Sequence, residues 1–304
     1  MQTITRSILQ QKNSKHILMA LLAAVLWGIS GTVGQYLFQE KRVDVEWLIS
    51  VRLLAAGGLL LVLSVAQGEQ VLSIWKNKKD CILLLSFSVL GMVAVQYTYF
   101  AAIKYSNAAT ATVLQYIGPV LIVVYMAISK KRMPSVKEFV ALILAMLGTF
   151  LLVTHGNPKE LSLSPEAFLL GISSAIALAV YTLLPARLLV THSPALVVGW
   201  GMLIGGIVFS PIRSPWDVSG IWDTNTYAAL GYIILLGTLI PFYCYLKAVQ
   251  MIGGEKASLL ASAEPLSAMV IGVFWLQIVF TGLDYLGSLC IVSTIFILSY
   301  SSKS

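Results

Sequence analysis

The sequence predicts an all-α membrane protein whose ten transmembrane helices form two inverted five-helix repeats. Three observations carry that prediction: a composition that water would not solvate, a string of apolar segments of bilayer-crossing length, and a set of identities that recurs 146 residues apart.

Of the 304 residues, 58% are hydrophobic and 11% charged, with a mean hydropathy of +0.86. A soluble domain carries roughly a quarter of its residues charged, so the solvent for most of this surface is lipid. Ten apolar segments follow one another at 17–37, 47–66, 81–103, 107–128, 136–154, 166–189, 195–212, 226–248, 256–276 and 283–301. Each is near the ~20 residues that a hydrocarbon core about 30 Å thick asks of a helix. The first runs past the usual signal-peptide length and ends in Gly-rich sequence, so it does not read as a cleaved leader. The longest connections, around 67–80 and 213–225, are too short for a separate soluble domain, which leaves no room for a hydrolase or ATP-binding module. Cys81, Cys244 and Cys290 lie in apolar segments at spacings that suit neither disulfides nor zinc. His16, His155 and His192 share no ligand spacing, so neither a metal nor a cofactor is expected.

Basic residues set the orientation. Fourteen Lys and Arg, among them Lys76, Lys79, Arg132 and Lys256, fall on one side, and five, including Lys41 and Arg213, on the other. Basic loops stay in the cytoplasm, so both termini are expected there, with the protein in the plasma membrane. The net charge of +7 follows from that topology, and no nucleic-acid partner is expected.

The repeat is visible without a gap. A shift of 146 residues superposes Gly91 on Gly237, Tyr97 on Tyr243, Tyr99 on Tyr245, Ala102 on Ala248, Ala111 on Ala257, Leu114 on Leu260 and Pro119 on Pro265. This divides the chain into halves at 1–156 and 157–304. Five segments per half is an odd number, so the second half enters the bilayer with opposite polarity. Such inverted repeats belong to secondary transporters, whose solute sits near the midplane between the halves.

With ten segments in two repeats, Leu26-Trp27-Gly28 in the first, Arg52 in the second, Pro119 in the fourth and Glu264-Pro265 in the ninth, the chain resembles the EamA-type transporters of the drug/metabolite transporter superfamily. The resemblance covers nearly the whole chain and implies a central cavity lined by helices one, three, four, six, eight and nine, alternately open to either side. It implies a peripheral place, often at a dimer contact, for helices five and ten, hence a homodimer as one expected partner besides the solute and the lipid bilayer.

Glu264 stands eight residues beyond Lys256, about 12 Å along a helix and near the bilayer centre. An acid there must be neutral, hydrogen-bonded or facing water. It either exchanges a proton with a cavity, giving proton coupling, or fastens its helix to a neighbour. Pro265 removes a backbone donor and clashes with the carbonyl four residues earlier, which frees the carbonyl of Ala261; Pro119 does the same to that of Gln115. Two bends at one depth mark a solute site, with Ser262 beside it, or serve packing alone. The small-residue spacings Ala257/Ala261, Ala108/Thr112 and Gly201/Gly205 favour packing. Arg52 lies five residues into its segment and is expected to snorkel to the headgroups, the resemblance adding a role as gate or carboxylate-orienting group. Among the aromatics inside the segments, Trp27, Tyr97, Tyr116, Tyr181 and Tyr243 are assigned to the pocket. Tyr99 and Tyr245 point away from Tyr97 and Tyr243 on their helices, so at most one of each pair can line it.

The expected function is therefore a secondary transporter, an exporter of small organic metabolites such as amino acids, amines or carboxylates, working by alternating access with no chemical step. A facilitative channel or a non-transporting scaffold is the alternative. A membrane-embedded enzyme fits less well, because Glu264 is the one acid at mid-membrane.

Overall fold

Several helix starts are marked by a residue that can satisfy free backbone N–H groups. In the computed structural model, which describes residues 2–129, 131–154, 157, 164–276 and 281–301, Asp44, Ser164, Ser193 and Asp223 accept from N–H groups two or three residues into their helices. Pro165 and Pro194 occupy first-turn positions where no donor is needed. The helices are α1 (Gln2–Gln39), α2 (Val45–Ala66), α3 (Lys78–Tyr105), α4 (108–129), α5 (Val136–Thr154), α6 (Pro165–Ala186), α7 (Pro194–Phe209), α8 (Thr224–Ile252), α9 (254–276) and α10 (Gly282–Ser301). His155 lies outside the described residues.

Four of these helices are irregular at matched places. A π-turn occupies Phe87–Val93 of α3 and Leu235–Leu239 of α8; 87–93 shifted by 146 is 233–239. The α4 helix stops at Gln115 and resumes at Ile117, while α9 tightens to a 3-10 turn over Ala261–Ala263; 116 shifted by 146 is 262. Prolines explain both breaks. Pro119 and Pro265 fall in the first turn of the helical piece after the break, where a missing N–H is harmless, and the chain before them gives up the regular ladder. The prolines therefore cost α4 and α9 their length as continuous spans. Five helices, Ser14–Gln39, α2, α3, α6 and α8, are long and apolar enough to cross a bilayer unbroken, and Ile117–Ser129, α7 and Tyr285–Thr294 are shorter apolar helices.

Packing follows the same register. Helix α3 lies on α6 and α8 on α1; α4 lies on α6 and α9 on α1; α2 packs against α7 and α5 against α10. Under the shift these contacts exchange in pairs or map onto themselves. The periphery is apolar, with Leu18, Val62, Leu169 and Phe274 all well exposed, the pattern of a surface that meets lipid. Loops meet in definite sets. The α1–α2 loop joins the α7–α8 loop through Lys41 and Asp223 (2.5 Å) and through Ile221 N–H donating to the Lys41 carbonyl. The α2–α3 loop joins the start of α7 through Ser193 Oγ donating to Glu69 (2.7 Å). Arg132, after α4, binds both Glu138 of α5 and Glu255 of α9.

Candidate functional site

The two proline breaks face each other across a cavity. It is walled by Trp27 and Ser30 of α1, Arg52 of α2, Gln96, Tyr99 and Phe100 of α3, Gln115, Tyr116 and Pro119 of α4, Leu178 and Tyr181 of α6, Phe242 of α8, and Ser258, Ala261 and Glu264 of α9. Every helix that the family resemblance assigns to the cavity contributes, and α2 joins them through one side chain.

Glu264 is positioned by the break beside it. It begins the second piece of α9 and is buried. The Tyr99 hydroxyl donates to its Oε1 at 3.3 Å and lies 3.0 Å from Thr112 Oγ1, so the acid is tied to α3 and α4. The carbonyl of Ala261 is not left free for a solute, as the sequence suggests. It accepts from the Glu264 N–H and from the Tyr116 hydroxyl, since a buried carbonyl without a donor is too costly to leave. Tyr116 thus closes the break of the partner repeat.

Gly28 explains the Leu-Trp-Gly run. A Cβ at this position would lie 2.3 Å from the Glu264 carbonyl oxygen and 2.1 Å from Ser267 Oγ. Only a residue without a side chain lets α1 cross α9 at the break, and that approach brings the preceding Trp27 into the cavity wall. Trp27 packs edge-on against Phe242 at 5.0 Å.

Arg52 overturns the expectation that it snorkels to the headgroups. It is 1% exposed and lines the cavity. Its Nε donates to Thr238 Oγ1 (2.9 Å) and its Nη2 to the Gly237 carbonyl (3.2 Å), with the guanidinium 4.5 Å from the Phe100 ring centre. The cause is tertiary. The π-turn of α8 releases carbonyls from the regular ladder, and Gly237 within it has no side chain to cover its own. A guanidinium stays charged at neutral pH, and all three of these partners are neutral.

Tyr97 and Tyr243 are corrected as well. Neither lines the cavity. Tyr97 turns outward to Glu46 (3.4 Å) and Phe209, and Tyr243 is half-buried against the hydrophobic core. Their companions two residues on face inward: Tyr99 on the wall, and Tyr245 behind it, bonded to Thr182 at 2.9 Å and stacked on Tyr181. Tyr181 and Gln115 are on the wall as expected, the former donating to the Phe242 carbonyl (3.4 Å) and the latter to Ser174 (2.6 Å). Ser262 and Pro265 are buried behind it, because the 3-10 turn points Ala261 and Glu264 at the cavity instead. Gln96, Ser30 and Phe242 are wall residues that the sequence reading passes over. Gln96 had a signal, an amide in the middle of an apolar segment; Ser30 and Phe242 had none.

The sequence profile of the EamA-like transporter family matches residues 14–154 and again 166–300. The chain is 42% identical to the uncharacterized inner membrane transporter YicL of Salmonella typhimurium over 95% of its own length and 96% of that protein. It is 27% identical to the threonine/homoserine exporter RhtA of the same species over 71% of this chain and 70% of that one. A solved crystal structure at 18% identity superposes with a TM-score of 0.76, covering 96% of this chain and 99% of the other, which is a likeness of fold.

Proposed function

This chain belongs to the EamA-like transporter family and is a multi-pass transporter of the plasma membrane, and from that premise we propose that it is a secondary carrier exporting a small organic metabolite by alternating access. The observation that carries the reading is the cavity itself, set where two matched backbone breaks meet and lined by one basic and one acidic side chain, Arg52 and Glu264.

Several features support two inverted halves. The family profile matches twice. The loops that touch are α1–α2 with α7–α8, α2–α3 with the start of α7, and α4–α5 with the start of α9. If every helix crosses once, each of these contacts joins loops on the same face. Five crossings per half then put the halves in opposite senses, and the excess of basic residues puts both termini in the cytoplasm. The breaks in α4 and α9 are the hinges, and rocking of one half against the other exposes the cavity to each side in turn. Glu264 takes up the solute's amine or a proton. RhtA, named as a threonine/homoserine exporter, favours amino acids as solute and outward as direction.

The test is counterflow in proteoliposomes. Saturable exchange of a labelled amino acid, accelerated by unlabelled solute on the far side, is expected. Conductance that never saturates and shows no counterflow would mean a pore and sink the carrier reading.

A further inference from the structure

Four polar atoms in the cavity wall lack partners. Among the buried side-chain nitrogens and oxygens of the described residues with no hydrogen bond are Arg52 Nη1, Trp27 Nε1, Ser30 Oγ and Gln96 Oε1, and all four residues line this one cavity. Arg52 is 1%, Ser30 2% and Gln96 2% exposed. A buried polar atom without a partner is costly, so four on residues of one cavity wall point to a guest that supplies the missing bonds.

The atoms divide by chemistry. Arg52 Nη1 and Trp27 Nε1 can only donate, and Ser30 can do so; together they suit a carboxylate, which accepts on two oxygens. Gln96 Oε1 and the Glu264 carboxylate accept, and suit an ammonium with its three donors. The Gln96 amide nitrogen is already turned to Met92 Sδ (3.3 Å). Arg52 and Glu264 form no ion pair within 4 Å, with each other or with any other described residue. Each is held by neutral groups, and both residues stand in the cavity wall.

We propose that this cavity is a two-headed site for a zwitterionic α-amino acid, its carboxylate bound by Arg52 with Trp27 and Ser30, its ammonium by Glu264 with Gln96, and its side chain against Leu178, Tyr181 and Phe242. The inference rests on the carrier reading and narrows its solute. A lone amine leaves the buried guanidinium without an anion, and a lone carboxylate leaves Gln96 Oε1 without a donor. The site therefore disfavours half-solutes by leaving a buried polar group unmatched, which is a form of selectivity. Arg52 is the specificity-determining residue for the carboxylate.

The experiment uses the full chain in proteoliposomes and a panel of the standard L-amino acids, each with its decarboxylated amine and its des-amino acid. Saturable counterflow of at least one amino acid is expected, with both of its counterparts at least 30-fold weaker as competitors. Arg52→Gln is expected to weaken the amino acid about 30-fold or more, the range for truncating one partner of a buried charge pair, while competition by the matching amine stays unchanged. Arg52→Lys is expected to recover part of the amino-acid affinity. A merely structural arginine would weaken amine and amino acid alike, and that result overturns the proposal. Counterflow of amines or des-amino acids as strong as that of the amino acids overturns it too, yet leaves the carrier standing. No saturable counterflow by any member of the panel overturns both.

Discussion

The two halves share a backbone and differ in charge. Helices α3 and α8 carry π-turns, and α4 and α9 are broken, at positions one register apart. Position 264 is Glu, whereas its counterpart 118 is Gly; position 52 is Arg, whereas its counterpart 198 is Val. The breaks depend on proline, which both halves keep. The charges are contributed once each, Arg52 by the first half and Glu264 by the second. A symmetric frame can rock, and an asymmetric pocket can tell one end of a solute from the other.

The sharpest break of this comparison is at the acid. Glu264→Gln removes the charge but keeps the shape, and transport is expected to fall about 30-fold or more with the protein still folded, read as counterflow rate beside thermal unfolding. Unchanged rates and an unchanged pH profile would make Glu264 a fastener only. Next is the crossing of α1 over α9. Gly28→Ala pushes a methyl into the Glu264 carbonyl, and a loss of about 1–3 kcal/mol of stability is expected from overpacking. At the matching crossing of α6 over α4 the residue is Ser174, which accepts from Gln115; Ser174→Ala is expected to cost only about 1 kcal/mol. Equal losses at both crossings would mean that Gly28 has no special fit.

A smaller effect is expected at Tyr116→Phe. It withdraws one of the two donors to the Ala261 carbonyl, about 0.5–1.5 kcal/mol, and should lower transport several-fold by loosening the hinge. The smallest lies outside the membrane. Asp223 and its counterpart Asn77 both cap their helices, Asp223 accepting from the Thr226 N–H and Asn77 from the Lys79 N–H, but Asp223 also pairs with Lys41. The hydrogen bond from Lys41 holds the Asp223 carboxyl down at about 2, below its ordinary 3.8. A depressed acid stabilises the fold above its ordinary value, and that contribution disappears as pH falls from about 4 through 2. Asp223→Asn, which copies the first half, should keep the cap and flatten this acid limb in a melting series from pH 6 to pH 2; an unchanged limb would show that the loop pair contributes nothing.

Much of the fold was legible from residue types alone. Apolar runs gave the helices to within a few residues, apart from the start of α1, which begins at Gln2 rather than near 17; the prolines gave the breaks, and Glu264 stood out because an acid in hydrocarbon has few ways to exist. The wall of the cavity was less legible. Tyr97 and Tyr99 lie two residues, about 200°, apart on a helix, and nothing local says which faces inward. The π-turn just before them adds a residue to a turn and rotates everything after it, so the inward face fell to Tyr99. Arg52 was misread for a similar reason: its distance from the helix end suggested the headgroups, but the carbonyl that holds it lies at position 237 of another helix.

The sequence by itself determined the all-helical membrane architecture and the 146-residue register of the breaks, because hydropathy and proline act locally and each residue carries its own share. The tertiary structure alone decided which side chains meet: the burial of Arg52, the closure of the Ala261 carbonyl by Tyr116, and the four unpaired polar atoms around one space. Those depend on the rotation of each helix about its axis and on contacts between residues more than a hundred positions apart, which no local pattern encodes.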